Sequence, residues 1–187
     1  MIESPAISKG AGRRRIILFS GNVTRPSASR RLAERIGAAI VEHLDADLVP
    51  RDLVDAGRTF GSAHRRDELP AAAQIMLSEL EHADALVIVT PVHNGAYPGL
   101  FKHFVDFLDR AMLAGKPILL GASGGSRRHA LMVENQLIPL FGFFQAQISA
   151  YTIFEAVGQS GEDNSDPNAL AGRIDLAARH FAHMARC

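Results

Sequence analysis

The sequence predicts a doubly wound α/β sandwich of three layers. A five-stranded parallel sheet in the order 2-1-3-4-5 lies between two layers of helices. Three observations carry this reading. Short apolar runs alternate with stretches of helical periodicity along the whole chain, which is the pattern of repeated β-α units. The runs ALVIVT (Ala85 to Thr90) and PILLGA (Pro117 to Ala122) are apolar throughout, as befits strands covered on both faces. The chain of 187 residues has room for five strands and five helices in one domain with a full core. Residues 1–13 read as a flexible N-terminal tail and 14–187 as a single domain.

The elements follow in order. The first strand is Arg15 to Ser20, built on Ile16, Ile17, Leu18 and Phe19. Leu32, Ile36, Ile40 and Leu44 recur every four residues and predict a helix from Ala28 to Leu44. A second strand covers Ala46 to Leu53. A second helix runs from Pro70 to His82, with Asp67 or Glu68 near its cap. The third strand is Ala85 to Thr90. The helix after it begins past Tyr97-Pro98 and ends near Ala114-Gly115. It carries Leu100, Phe101, Phe104, Val105, Phe107, Leu108 and Met112, a stripe wider than one face packed on a sheet requires. A second chain, or deeper burial within one chain, accounts for the surplus. The fourth strand, Pro117 to Ala122, leads to a helix over Arg127 to Phe141. The less continuous segment Gln145 to Phe154 reads as an edge strand. The last helix opens at SDPNAL, where Asp166 can cap and Pro167 suits the first turn, and it runs to about Met184.

Composition excludes several classes of function. Twenty basic and twenty acidic side chains cancel. A neutral chain gives no electrostatic reason to expect nucleic acid or an anionic membrane surface as partner. No apolar run approaches the roughly 20 residues that span a bilayer. The N-terminus has neither the basic start nor the apolar middle of a signal peptide. The single cysteine, Cys187, permits no intrachain disulfide, and the chain reads as cytoplasmic. His180 and His183 lie three apart on the last helix, but no third ligand is evident nearby, so they read as surface histidines and no metal site is expected.

In a doubly wound sheet, ligands bind beyond the carboxyl ends of the strands, so the loops after strands 1, 3 and 4 carry the chemistry. The first, SGNVTRPSAS, contains neither G-x-G-x-x-G nor G-x-x-x-x-G-K-[ST], which removes the dinucleotide fingerprint and the P-loop. It offers the hydroxyls of Ser20, Thr24, Ser27 and Ser29, the amide of Asn22 and the guanidinium of Arg25. At a helix N-terminus, these groups suit a terminal phosphate monoester without a metal. An ordinary polar turn with Ser27 as N-cap is the alternative. In the second loop, TPVHNGAYPG, Pro91, Gly95, Pro98 and Gly99 set a rigid, turned path that can present backbone groups to the edge of a planar heterocycle. His93 and Tyr97 can flank such a ring. In the third, GASGGSRRHAL, Gly124-Gly125 allows close approach of a ligand to the backbone, Ser126 can cap the next helix and His129 lies in that helix's first turn. A tight αβ connection is the alternative there. A phosphate-bearing flat ring is FMN.

These three loops resemble those of the NAD(P)H-dependent FMN reductases, particularly the reductase partners of two-component flavin monooxygenases, and the resemblance spans residues 14 to 156. It implies a flavodoxin-like fold, FMN as cofactor or co-substrate, NADPH or NADH as hydride donor, and a homodimer or homotetramer. It places the FMN phosphate on Ser20, Arg25, Ser27 and Ser29. The isoalloxazine falls against Pro91, Val92, His93, Asn94 and Tyr97, with Gly124, Gly125 and Ser126 on the other side. The chain departs from the family pattern at His93, where tyrosine is frequent, and in a longer first loop ahead of Arg25. The family chemistry is hydride transfer between cofactors, so no obligate acid–base residue is expected. Arg58, Arg65 and Arg66, in the loop after the second strand, are candidates for the 2′-phosphate of NADPH. Two other functions stay open: a reductase that keeps its FMN and serves quinones, azo dyes or metal oxyanions, and an electron carrier without an NAD(P)H site.

Overall fold

A computed structural model of the chain describes residues 13–157 and 167–186; residues 1–12, the expected cap Asp166 and the terminal Cys187 lie outside the described residues. The sheet is parallel. Strand β1 (Arg14–Ser20) lies between β2 (Ala46–Asp52) and β3 (Ala85–Pro91). Strand β4 (Pro117–Gly124) pairs with β3 on one side and with two short strands, β5 (Gln147–Ile148) and β6 (Ile153–Ala156), on the other. The order β2-β1-β3-β4-β5 is the expected one.

Among the described residues the helices are α1 (Ala28–Val41), α2 (Ala71–His82), α3 (Gly99–Val105), α4 (Arg110–Leu113), α5 (Ile138–Phe143) and α6 (Pro167–Arg186). Alternate side chains of each strand point to opposite faces of the sheet. Ile16, Leu18, Val87 and Val89 pack with α1 and α6 on one face. Ile17, Phe19, Leu86 and Ile88 pack with α2, α3 and α5 on the other. Phe19 is the centre of that second core, with its ring 5.9 Å from Phe101 and 5.3 Å from Phe104. Phe60, in the loop after β2, closes it edge-on over Phe104 at 6.0 Å. Part of the wide apolar stripe on α3 is therefore used within the chain, while Leu100 and Met112 stay partly exposed.

Three expected elements are interrupted, each for a local reason. The expected helix from Tyr97-Pro98 to Ala114 is two helices, because Asp109 caps a new start by accepting from the Ala111 N–H at 2.8 Å. The backbone groups freed at the break find partners in an ion pair of buried Glu81 and exposed Arg66. Glu81 accepts from the Asp109 N–H at 2.8 Å, and Arg66 donates to the Phe107 carbonyl at 3.1 Å. The expected helix from Arg127 to Phe141 is a 3₁₀ turn over Arg127–His129, a π turn over Val133–Leu137, and α5. Pro139 has no N–H to donate, and its ring would crowd the carbonyl four residues back; the wider π turn gives it room. The expected last strand is broken between Ile148 and Ile153, where the Ser149 hydroxyl accepts from the Tyr151 N–H and meets His180 Nδ1.

Candidate functional site

The loop from β1 to α1 begins on buried polar groups. Ser20, fully buried at the end of β1, donates to Asn22 Oδ1 at 2.6 Å, and Asn22 Nδ2 donates to the Thr24 carbonyl at 2.9 Å. Ser27 is the N-cap of α1 and accepts from the Arg30 N–H at 3.2 Å, with Ser29 Oγ 2.9 Å away. The first N–H groups of α1 have no partner within the helix, and the helix dipole adds positive potential there. Ser20 and Asn22 thus shape the start of the loop, Ser27 stands half-buried at the first turn of α1, and Ser29 is fully buried behind it.

Arg25 is anchored from the neighbouring strand. Its Nε and Nη2 each lie 2.8 Å from the carboxylate of Asp52, and Nη2 also donates to Asp55 Oδ1 at 2.6 Å. Asp52 is wholly buried at the end of β2 and further accepts from Arg30 Nη1 at 3.2 Å and the Val54 N–H at 3.0 Å. Burial alone would raise its carboxyl; hydrogen bonds from Arg25, Asn22 and Val54 and the charge of Arg25 outweigh that and hold it below the usual carboxylate range.

The second loop is a two-residue hairpin. His93 and Ala96 exchange backbone hydrogen bonds at 2.8 and 3.1 Å, with Asn94 and Gly95 at φ +52° and +84° between them. Two consecutive positive φ values are what an Asn-Gly type I′ turn supplies. Gln136 donates to the Gly95 carbonyl at 3.1 Å and steadies the tip. His93 and Asn94 are exposed, whereas Tyr97 leans on Phe101 at 5.6 Å and is half-buried.

The third loop completes the arrangement. Pro91 and Ser123 are paired across β3 and β4, and the Val92 N–H donates to the Ser123 carbonyl at 2.8 Å. A Cβ on Gly124 would fall 3.1 Å from Phe154 and 3.3 Å from Val92, whereas one on Gly125 would meet nothing within 4 Å. Gly124 is therefore needed for packing, and Gly125 opens onto free space. Ser126 caps the 3₁₀ turn through the Arg128 N–H, so His129 begins no α-helix. The first loop joins the others through the Gly21 N–H, which donates to the Val89 carbonyl at 2.8 Å.

The arginines of the loop after β2 separate by partner. Arg66 is clamped by Glu81 through two contacts of 2.6 Å and serves the fold. Arg65 pairs with exposed Asp67 at 3.0 Å. Arg58 is exposed and carries no ion pair among the described residues.

An open parallel sheet with three ligand-type loops at the carboxyl ends of β1, β3 and β4 defines a flavodoxin-like nucleotide-binding protein. The chain belongs to the NADPH-dependent FMN reductase family, whose model matches residues 14–157. It is 40% identical over 163 residues to a Pseudomonas putida protein named NADH-dependent FMN reductase SfnE, covering 87% of this chain and 88% of that one. It is 36% identical over 168 residues to an FMN reductase (NADPH) of Pseudomonas aeruginosa, covering 90% of both. In structure it is similar to an oxidoreductase from Corynebacterium diphtheriae, with a TM-score of 0.84 at 26% identity, covering 94% of this chain and 98% of that one. The protein is thus an oxidoreductase that uses FMN with NAD(P)H. The hydroxyl and amide donors of the first loop fit an FMN phosphate, and the free space at Gly95 and Gly125 fits the approach of a flat ring.

Sequence reasoning missed two features of this site. One is the anchoring pair Asp52 and Asp55, whose signal was two carboxylates just past a strand end. The other is the I′ hairpin, whose signal was the Asn94-Gly95 dipeptide.

Proposed function

We propose that this chain reduces FMN with NAD(P)H and releases the product to a flavin-dependent monooxygenase. The observation that carries the proposal is the convergence of the three loops, with phosphate-type donors at one corner and open backbone at the other two. In this reading Ser27, Ser29 and the first turn of α1 hold the phosphate, with Asn22 and Ser20 fixing the loop behind them. Arg25 reaches it with what remains of its guanidinium. Pro91, Val92 and the His93–Tyr97 hairpin border one edge of the ring, and Gly124, Gly125 and Ser126 border another. Bound FMN supplies the hydride acceptor and NAD(P)H the donor. The residues of the chain align the two rings and leave one face accessible, which suffices for the rate because alignment lowers the entropic barrier.

A role with a monooxygenase is supported by the resemblance of the loops to reductase partners of two-component systems, and FMN reduction by the name of the Pseudomonas putida relative, an NADH-dependent FMN reductase. A cytoplasmic location agrees with this role, and no helix among the described residues is long and apolar enough to cross a membrane. Association of copies through the partly exposed Leu100, Met112 and Phe143 surfaces belongs to the same proposal. Arg58 is the candidate for the 2′-phosphate of NADPH, since Arg66 is committed to Glu81. Arg58→Ala then raises the KM for NADPH and leaves that for NADH unchanged.

The test is a visible spectrum of the purified protein, followed by anaerobic addition of FMN and NADH or NADPH. Colourless protein that catalytically bleaches added FMN supports the proposal. Yellow protein that bleaches without added FMN shows a retained flavin, and release to a partner is then abandoned. Protein that binds FMN but bleaches it with neither nucleotide is an electron carrier.

A further inference from the structure

The charges around the phosphate loop are already balanced. Of the five N–H bonds of Arg25, Nε–H points at Asp52 and the two of Nη2 point at Asp52 and Asp55, which leaves the Nη1 pair. Arg30, in the first turn of α1, donates from Nε to Glu34 at 2.6 Å and from Nη1 to Asp52 at 3.2 Å. Arg31 beside it carries no ion pair among the described residues. Two guanidinium groups, Arg25 and Arg30, thus face three carboxylates, Glu34, Asp52 and Asp55. A phosphate dianion arriving at this corner meets hydroxyls and amides but little uncompensated positive charge. An arginine already engaged by carboxylates cannot offer its full bidentate fork, so this corner holds a phosphate less tightly than one with a free guanidinium.

We propose that Asp55 competes with the FMN phosphate for Arg25 and so sets how readily the flavin leaves. The inference rests on the FMN reading above and deepens it. Asp52 and Asp55 differ in kind. Asp52 is fully buried and accepts from Arg25 of the first loop, Arg30 of α1 and the Val54 N–H just past β2, so it is part of the fold. Asp55 lies at the rim with its side chain 34% exposed and touches Arg25 from the solvent side at 2.6 Å. Its other oxygen accepts from the Asp52 N–H at 3.0 Å, a bond that an asparagine carbonyl can keep. Removing the charge of Asp55 frees Arg25 for a phosphate without removing the turn.

A merely structural Asp55 predicts weaker flavin binding when it is changed; competition predicts tighter binding, and only where a phosphate is present. The experiment titrates FMN and riboflavin into wild-type protein, Asp55→Asn, Arg25→Gln and the double variant, following quenching of flavin fluorescence. The expected result is a Kd for FMN lowered about fivefold in Asp55→Asn, the effect of a half-exposed ion pair. Riboflavin affinity stays unchanged, and the gain disappears in the Arg25→Gln background. If Asp55→Asn does not fold, Asp55→Ser, which keeps an oxygen acceptor, is read in the same way. An unchanged or raised Kd for FMN overturns the inference, as does an equal gain for riboflavin. Wild-type protein that binds FMN and riboflavin equally overturns it too, while the FMN reading survives. Wild-type protein that binds neither flavin overturns both.

Discussion

The two ends of the sheet treat charge in opposite ways. In a parallel α/β sandwich, helix N-termini gather at the carboxyl end of the strands and helix C-termini at the amino end. One end therefore presents unpaired N–H groups and the other unpaired carbonyls. At the amino end the chain satisfies the carbonyls itself. Lys116, just before β4, is buried and donates to the Leu80 and Glu81 carbonyls at the end of α2, at 2.9 and 2.6 Å. Arg14 donates to the Arg186 carbonyl at 2.8 Å, and Arg186 donates to that of His43. At the carboxyl end Arg25 and Arg30 are paired with carboxylates, and Ser27 takes up the Arg30 N–H at the start of α1. The amino end is closed by its own side chains, whereas the carboxyl end is the one at which a parallel sheet of this kind takes its ligands.

The largest expected effect tests the closed end. Burial pushes the Lys116 ammonium down to about 8 from 10.5, although the charges of Glu81 and Asp84 oppose the shift. Below about pH 8 both folded and unfolded chains hold this proton. Between about 8 and 10.5 only the unfolded chain does, so this group makes stability rise with pH across that window. The rise amounts to roughly 3 kcal/mol. In Lys116→Met it is absent, and the difference between the two proteins in denaturant midpoint against pH measures it. Parallel curves would show that the amino end is not closed by a buried charge.

The next effect tests how tightly the open end is built. A Cβ on Gly21 would lie 2.7 Å from Phe101 and 2.7 Å from Thr90. Gly21→Ala is expected to cost about 2 kcal/mol through overpacking and to lower Tm by about 5 °C. A smaller change is expected at the hairpin, where Gly95 has φ +84° and open space around it. There the cost is backbone strain alone. Gly95→Ala costs about 1 kcal/mol of stability, and the expected loss of flavin-binding free energy is larger than that cost. The smallest effect is at the rim of the closed end. Arg13 pairs with Asp45 and Asp47 at 2.7 and 2.9 Å, but all three are well exposed. Arg13→Ala leaves Tm within error at physiological salt, since exposed pairs contribute little and are screened.

What could be read in the sequence followed the same division. Strands β1, β3 and β4 are each built on an unbroken apolar run, and their expected bounds lie within two residues of the observed ones. The site loops follow from those bounds, since a parallel sheet fixes which strand ends bind ligands. Helix interruptions were harder to see, because they depend on partners distant in sequence. The break before Asp109 is held by Glu81 and Arg66, and neither is signalled by local periodicity. The role of Arg25 was hidden for the same reason. The loop sequence suggests a phosphate ligand, while Asp52 and Asp55, 27 and 30 positions away, decide how much of its charge is left to give.

The broken last strand has a consequence for how the molecule behaves in a crowd. A sheet grows by adding strands to its margins, and an even, unbroken margin invites growth. Here one margin is a strand of two residues followed, after a gap, by one of four. The opposite margin, β2, carries Pro50, which has no N–H to offer, and the charged residues Asp47 and Arg51. Neither margin is a template for another strand, so the sheet does not grow when copies of the protein meet.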